Sequence, residues 1–361
     1  MKGLWKSNLL LIVTSTLIGL VVFEFVLKIY GRYNHLSEQK LVLSDAIYEK
    51  PKSSVLKNEH PDLKIIILNQ YDSDGIRNHD VIQTKNKKNI SGIFGDSHVE
   101  NINIKDEFQF TTLLDDHFED QTFVNYGVGG YSLDQIFIRY LTFSNHDIKK
   151  IYYVFSGNDA GSINSNNLIK FTNNDYELIK PKFRFFQKII GKLNITYFLI
   201  DAYYIVRSKI YLKHTLVDID NYPKKLAEKL YYKFLSENES NKTQIDNIVL
   251  FNKILKTFKE VANKNNASFS IIILPSKEEN DAFERMVKNK ENFEIINLYN
   301  LSKKISDKFN KNLKFENDSH FNEYGNLIIF ELTKYFINNQ NVSQDYIQLH
   351  KIKKKIDKLY N

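Results

Sequence analysis

The chain of 361 residues contains no cysteine, which excludes disulfides and thiolate metal sites while leaving every compartment open. Proline occurs only five times and glycine 13 times, and alanine is also sparse. Lysine, asparagine, isoleucine, phenylalanine and tyrosine fill the space instead, so the composition carries a general bias rather than a local signal. There is no internal repeat and no low-complexity tract. No HExxH element or cluster of histidines suggests a metal, and no cofactor is expected. The formal charge is +7, yet no helical pattern carries a one-sided basic stripe, so nucleic acid is not an expected partner. An apolar share of 42% is enough to bury a substantial core.

Charge is missing altogether from Ser7 to Phe23, and the apolar run continues through Phe25, Val26 and Leu27. That length approaches the ~20 residues that span a bilayer. No small-residue cleavage site follows, which favours an uncleaved anchor over a removed signal peptide. Residues 1–31 are therefore expected to form one transmembrane helix. Lys2, Lys6 and the amino terminus favour a cytoplasmic start, which puts the rest of the chain on the extracytoplasmic, periplasmic side. The lipid bilayer is then one partner.

Residues 32–88 are polar and irregular and are expected to be a linker and N-terminal extension, with Lys64–Leu68 as a possible short strand. From residue 89 strand-like and helix-like patterns alternate. Expected strands are Ile90–Phe94, Thr122–Asn125, Lys150–Phe155, Ser268–Leu274 and Phe293–Leu298. Expected helices are Val99–His117, Leu133–Leu141, Ile245–Asn263, Asp281–Val287 and Glu323–Phe336. This alternation predicts an α/β fold, a three-layer α/β/α arrangement around a mostly parallel sheet, across residues 89–340. Residues 161–240 break the rhythm and are expected to form a helical insertion, either a cap over a site or packing on the sheet's flank. Residues 341–361 form a basic tail.

Sites in such sheets gather at the carboxyl ends of strands, where three polar segments lie. Gly95-Asp96-Ser97 follows the first strand. A serine at a tight strand-to-helix turn exposes its hydroxyl and offers its own N–H, although Asp96 and Ser97 could simply cap a helix. Gly127 to Gly130 follows Asn125 after the second strand, and Gly130 can present an unobstructed N–H. Asn158 and Asp159 follow the third, and Asn158 can present an amide; otherwise these are an ordinary turn and loop start. Asp318 and His320 share one polar loop, two positions apart, and can point into one pocket. A serine hydrolase needs a nucleophile, oxyanion donors and a base held by an acid, drawn from distant segments.

Together the segments resemble the SGNH hydrolase superfamily, also called GDSL-like esterases and lipases, whose fold is flavodoxin-like. The first block matches Ile93 to Asn101 (IFGDSHVEN), which carries the nucleophile to Ser97. The second matches Asn125-Tyr126-Gly127-Val128-Gly129-Gly130, implying Gly130 as oxyanion glycine. The third matches Ser156-Gly157-Asn158-Asp159, with Ser156 in place of a glycine, implying Asn158 as oxyanion asparagine. The last usually places the acid three residues before the histidine. Asn317 stands there, whereas Asp318 is two before His320, a spacing that looks like a membrane-anchored, polysaccharide O-acetylation branch. Asn322 and Gly325 match the continuation. Upstream, Tyr71 to Arg77 is similar to a stretch that precedes the sheet in anchored members.

The resemblance implies Ser97, His320 and Asp318 as catalytic residues. It implies Ser97, Gly130 and Asn158 as the oxyanion hole, with Asp96, Asn125, Asp159 and Asn322 in support. The expected activity is hydrolysis of O-acyl groups on an envelope carbohydrate or lipid. The alternatives are an O-acetyltransferase of surface polysaccharide and a non-catalytic glycan-binding or scaffold relative.

Overall fold

A computed structural model of the chain describes residues 2–30, 42–43, 48–50, 52–77, 89–161, 163, 168–171, 176–178, 241–305 and 312–338. The chain divides into two units, one of Met1–Leu43 with Pro181–Leu235 and one of Ser44–Lys180 with Ser236–Asn361.

In the first unit, the helix α1 spans Lys2–Tyr30. Its side chains are described from 11 to 26, and they are almost all exposed. The hydroxyls of Ser15 and Thr16 donate back to the Ile12 carbonyl at 3.0 and 2.8 Å, so the apolar exterior leaves no polar group there unserved. Among the described residues no helix is long and apolar enough to cross a membrane. The expected span is thus seen as a helix, not as a crossing.

The second unit is built on five parallel strands. These are β3 (Ile90–Phe94), β4 (Thr122–Asn125), β5 (Ile148–Phe155), β8 (Ser268–Ile273) and β9 (Glu294–Asn297). They run side by side in the order β9-β8-β5-β3-β4, with every neighbouring pair parallel. The two-residue side-chain period divides each strand between two faces. On one face Ile93, Tyr152, Val154 and Ile272 pack with α3 (Phe110–His117), α7 (Leu298–Ile305) and α8 (Glu323–Asn338). On the other, Phe94, Phe155 and Phe269 meet aromatic rings from α4 (Leu133–Thr142), α5 (Asn241–Lys264) and α6 (Lys277–Met286). Phe258 of α5 lies 4.9 Å from Phe269 and 6.1 Å from Phe94, and Phe283 of α6 lies 5.3 Å from Phe155. The result is the expected α/β/α layering. The strand order reverses between β3 and β5, the place where open parallel sheets form a crevice.

Three expectations need correction. The helix expected over Val99–His117 is broken: α2 covers only Ser97–Glu100, Asn101 adopts a left-handed φ of 45°, and the helix resumes as α3. Arg77, almost fully buried, donates to the carbonyls of Glu100, Asn101 and Ile104 at 2.6–2.8 Å and to Asp106, which takes those acceptors out of any helical ladder. The expected linker is in part ordered, because β1 (Ser54–Glu59) and β2 (Ile66–Tyr71) form an antiparallel hairpin. Leu56, Ile67, Asn69 and Tyr71 point inward, and the intervening residues stay exposed or half-buried. Within the expected helical insertion, β6 (Ile169–Phe171) and β7 (Tyr176–Leu178) pair as a second hairpin. The remainder of the expected helical insertion, from 179 to 240, and the basic tail lie outside the described residues.

Candidate active site

The turn after β3 places Ser97 at the first position of α2. Asp96 caps that short helix, its carboxylate accepting from the His98 N–H at 2.9 Å. Ser97 is half-buried, and its Oγ lies 2.8 Å from Nε2 of His320. Nδ1 of His320 is hydrogen-bonded to Oδ1 of Asp318, and the same oxygen accepts the His320 backbone N–H at 2.8 Å. Oδ2 of Asp318 accepts from the Asn103 side chain at 3.3 Å. Half-burial favours the neutral form of the Asp318 carboxyl, but its bonds to His320 outweigh that and hold it below its ordinary range. Hydroxyl, imidazole and carboxylate thus stand in one line, joined from segments 223 residues apart.

The two-residue spacing between acid and histidine has a visible local cause. Asn317, at the position three before His320, is turned the other way. Its backbone N–H and side-chain amide both donate to Oδ1 of Asp62 at 3.0 Å, and Glu316 N–H donates to Oδ2 at 3.0 Å. Asp62 lies in the turn of the β1–β2 hairpin. His60 beside it contacts Glu323 at 3.1 Å and meets Phe315 edge to face at 5.0 Å. Asn322 ties the end of the same loop, donating to the Asn312 and Lys314 carbonyls and accepting from Gly325 N–H. Its place is structural support beneath His320.

The loop after β4 lies against the serine turn. Asn125 is fully buried and serves as a staple, donating to Val99 O at 2.9 Å and accepting from Gly127 N–H at 2.9 Å. A Cβ on Gly127 would come within 2.5 Å of the Glu100 backbone nitrogen, so only glycine fits there. Gly130 has φ +80°, a backbone conformation that favours glycine, and open space where a Cβ would stand. Asn158, after β5, is exposed. Asp159 beside it is fully buried, taking the Tyr153 hydroxyl at 2.5 Å and the Ser156 N–H at 3.0 Å. Burial, reinforced by the nearby Asp96 charge, pushes the Asp159 carboxyl well above its ordinary range. Asp159 therefore shapes the turn that carries Asn158.

Several neighbours of the site carried no signal that sequence reasoning singled out. His98 is buried with its ring centre 5.1 Å from that of His320, and Phe321 packs on it edge to face. Its Nε2 is 4.0 Å from Glu279, whose other oxygen accepts the Gly157 N–H at 2.7 Å. Among the described residues the His98 Nδ1 has no partner, and burial lowers the imidazole pKa to about 4. Glu100, fully buried, gathers Lys50 at 2.9 Å, the Tyr71 hydroxyl at 2.5 Å and the Gly129 N–H at 2.5 Å. Arg77 and Tyr71 fall in the stretch likened above to anchored relatives; nothing in the pattern pointed to Lys50 or Glu100.

No family model and no curated protein matches the chain. Among solved structures it is similar to a member of the lipolytic G-D-S-L family from Veillonella parvula DSM 2008, at 12% identity, a TM-score of 0.38, and 70% of this chain against 99% of that one. It is similar to the psychrotrophic esterase EstA from Pseudoalteromonas sp., at 12% identity, a TM-score of 0.38, and 70% against 98%. It is also similar to the acetyl xylan esterase AlAXEase, at 12% identity, a TM-score of 0.37, and 69% against 99%. Likeness this loose bears no weight on the reaction, for which the geometry of Ser97, His320 and Asp318 has to speak.

Proposed function

We propose that this chain is a serine ester hydrolase. The observation that carries the reading is the line from Ser97 Oγ to His320 Nε2, at 2.8 Å, and on to Asp318. His320 takes the Ser97 proton as the oxygen attacks an ester carbonyl, and Asp318 orients the imidazole and offsets its charge. Negative charge growing on the carbonyl oxygen is met by the N–H groups of Ser97 and Gly130 and by the Asn158 amide. His320 then returns the proton to the leaving alcohol, and water, activated by the same imidazole, releases the acid. No metal or cofactor enters these steps. The Ser156–Asp159 turn and the Gly127–Gly130 loop are fastened by buried Asp159 and Asn125, so the donors need little reorganisation during reaction.

The substrate class in this reading is an O-acylated carbohydrate or lipid of the cell envelope. The uncharged run in α1, with its outward-facing apolar side chains, supports attachment to a bilayer, with the catalytic unit on the extracytoplasmic side. One experiment tests both parts. Cells producing the full chain are fractionated and labelled with a fluorophosphonate probe, and release of acetate from a small acetyl ester is followed. The expected result is a labelled band in the membrane fraction that, with the activity, disappears in Ser97→Ala while the variant stays folded. Undiminished activity in Ser97→Ala would refute the nucleophile. A labelled band found only in the soluble fraction would overturn the attachment.

A further inference from the structure

Glu100 is the last residue of α2, three positions after Ser97, and it is 1% exposed. Its three partners are unlike one another: an ammonium from Lys50, a phenol from Tyr71 and a backbone amide from Gly129. A buried ion pair is a poor source of stability, because desolvation costs about as much as the pairing returns. An apolar side chain would fill the same space more cheaply. What the carboxylate does that an apolar group could not is accept the Gly129 N–H.

The location of that amide matters. A Cβ built on Gly129 would sit 3.5 Å from Ser97 Cβ, so this part of the loop passes close beside the nucleophile's residue. Gly129 and Gly130 carry consecutive amides. The first donates to Glu100, and the second follows at a left-handed φ of +80°. Resting on the hydrolase reading above, we infer that Glu100 is a positioning residue of the oxyanion loop. By pinning the Gly129 amide it directs the Gly130 N–H to where the oxyanion forms beside Ser97. Lys50 has a second task in this scheme. A bare carboxylate this close would oppose the developing negative charge, and the ammonium 2.9 Å away cancels it. Burial alone would raise the Glu100 carboxyl, but Lys50 and the hydrogen bonds of Tyr71 and Gly129 outweigh that and keep it below its ordinary range, hence ionised.

The test removes the charges in pairs, so that no lone ion is left buried. In Glu100→Ala/Lys50→Met the acceptor is lost, and kcat on an acetyl ester is expected to fall about 10- to 100-fold, less than the ~10²–10³ for deleting a donor outright. KM should stay within about twofold, and the rate of Ser97 phosphonylation should fall with kcat, because that reaction also builds charge on an oxygen in the same place. Glu100→Gln/Lys50→Met keeps a carbonyl acceptor and should restore most of the loss. Values of kcat within about threefold of the parent in the alanine pair would overturn the inference, as would a glutamine pair no better than it. If neither pair folds, the unsubstituted protein decides. Its Gly129 amide proton should resonate far downfield and exchange slowly, while that of Gly130 should exchange readily and move on phosphonate addition; the reverse pattern would overturn the inference. Absence of Ser97 labelling in the parent protein would instead count against the hydrolase reading itself.

Discussion

Acid should weaken this protein through His98, in a window set by the gap between its folded and unfolded titration. In the unfolded chain an imidazole titrates near 6.5, whereas in the folded state burial lowers His98 to about 4. The folded state therefore refuses a proton that the unfolded state accepts. The stabilisation is complete above pH ~6.5 and is lost progressively as pH falls toward 4. For these two values the loss is about 2 kcal/mol by pH 5 and about 3 kcal/mol by pH 4. That is a large fraction of the ~5–15 kcal/mol that holds an ordinary domain folded. Asp96, Glu279 and Asp318 also bear on His98 by drawing a proton on, and Lys314 and the neighbouring His320 oppose it. The clean measurement is therefore a difference: urea unfolding midpoints of the parent and of His98→Phe at pH 7, 5.5, 5 and 4. Phenylalanine keeps a ring against Phe321 and removes both the titration and the unpartnered Nδ1. The parent should lose about 3 kcal/mol more than the variant between pH 7 and pH 4. Parallel loss in the two proteins would refute the reasoning, since it would mean His98 is protonated as easily folded as unfolded.

Two further predictions concern the strand-end loops. Asn158→Ala should reduce kcat/KM for an acetyl ester by roughly 10²–10³ without moving the unfolding midpoint, because the side chain is exposed; steady-state kinetics beside thermal unfolding checks both halves. Gly127→Ala should destabilise by about 1–3 kcal/mol, because a Cβ there would lie 2.5 Å from the Glu100 nitrogen and 2.6 Å from Val99 Cβ; a calorimetric Tm equal to the parent's would contradict it.

Much of the second unit was legible because its strands are rich in apolar residues and are followed by small or polar ones. Ile90–Phe94 and the run ending at Phe155 lie where the pattern put them, and the polar residues just beyond them, Ser97 and Asn158, stand at the carboxyl edge of the sheet. What stayed hidden depends on partners far away in sequence. The spacing from Val99 to His117 is helical, yet Arg77 claims three carbonyls in its midst. Asn317 and Asp318 could not be ranked by spacing, since the choice follows from Asp62, more than 250 positions upstream, occupying Asn317. Of the β1–β2 hairpin only a possible strand at Lys64–Leu68 was legible, because every second residue is polar or exposed and its inward set is only a few side chains deep. Glu100 sat inside a motif already singled out, but a glutamate in a short turn carries no mark of burial, and Lys50 is no more conspicuous.

The hairpin and the residues flanking it reach both the Ser97 turn and the His320 loop. Lys50, Tyr71 and Arg77 secure the turn holding Ser97, and Asp62 and His60 secure the loop holding His320. These grips join the opening of the catalytic unit to its closing stretch, at separations up to 263 residues. All five strands of the central sheet precede the His320 loop in the chain, so a growing polypeptide can form the sheet before the line from Ser97 to His320 closes. That line closes only when the loop docks onto a clasp more than 250 residues upstream, which ties the hydrolysis proposed above to completion of the fold.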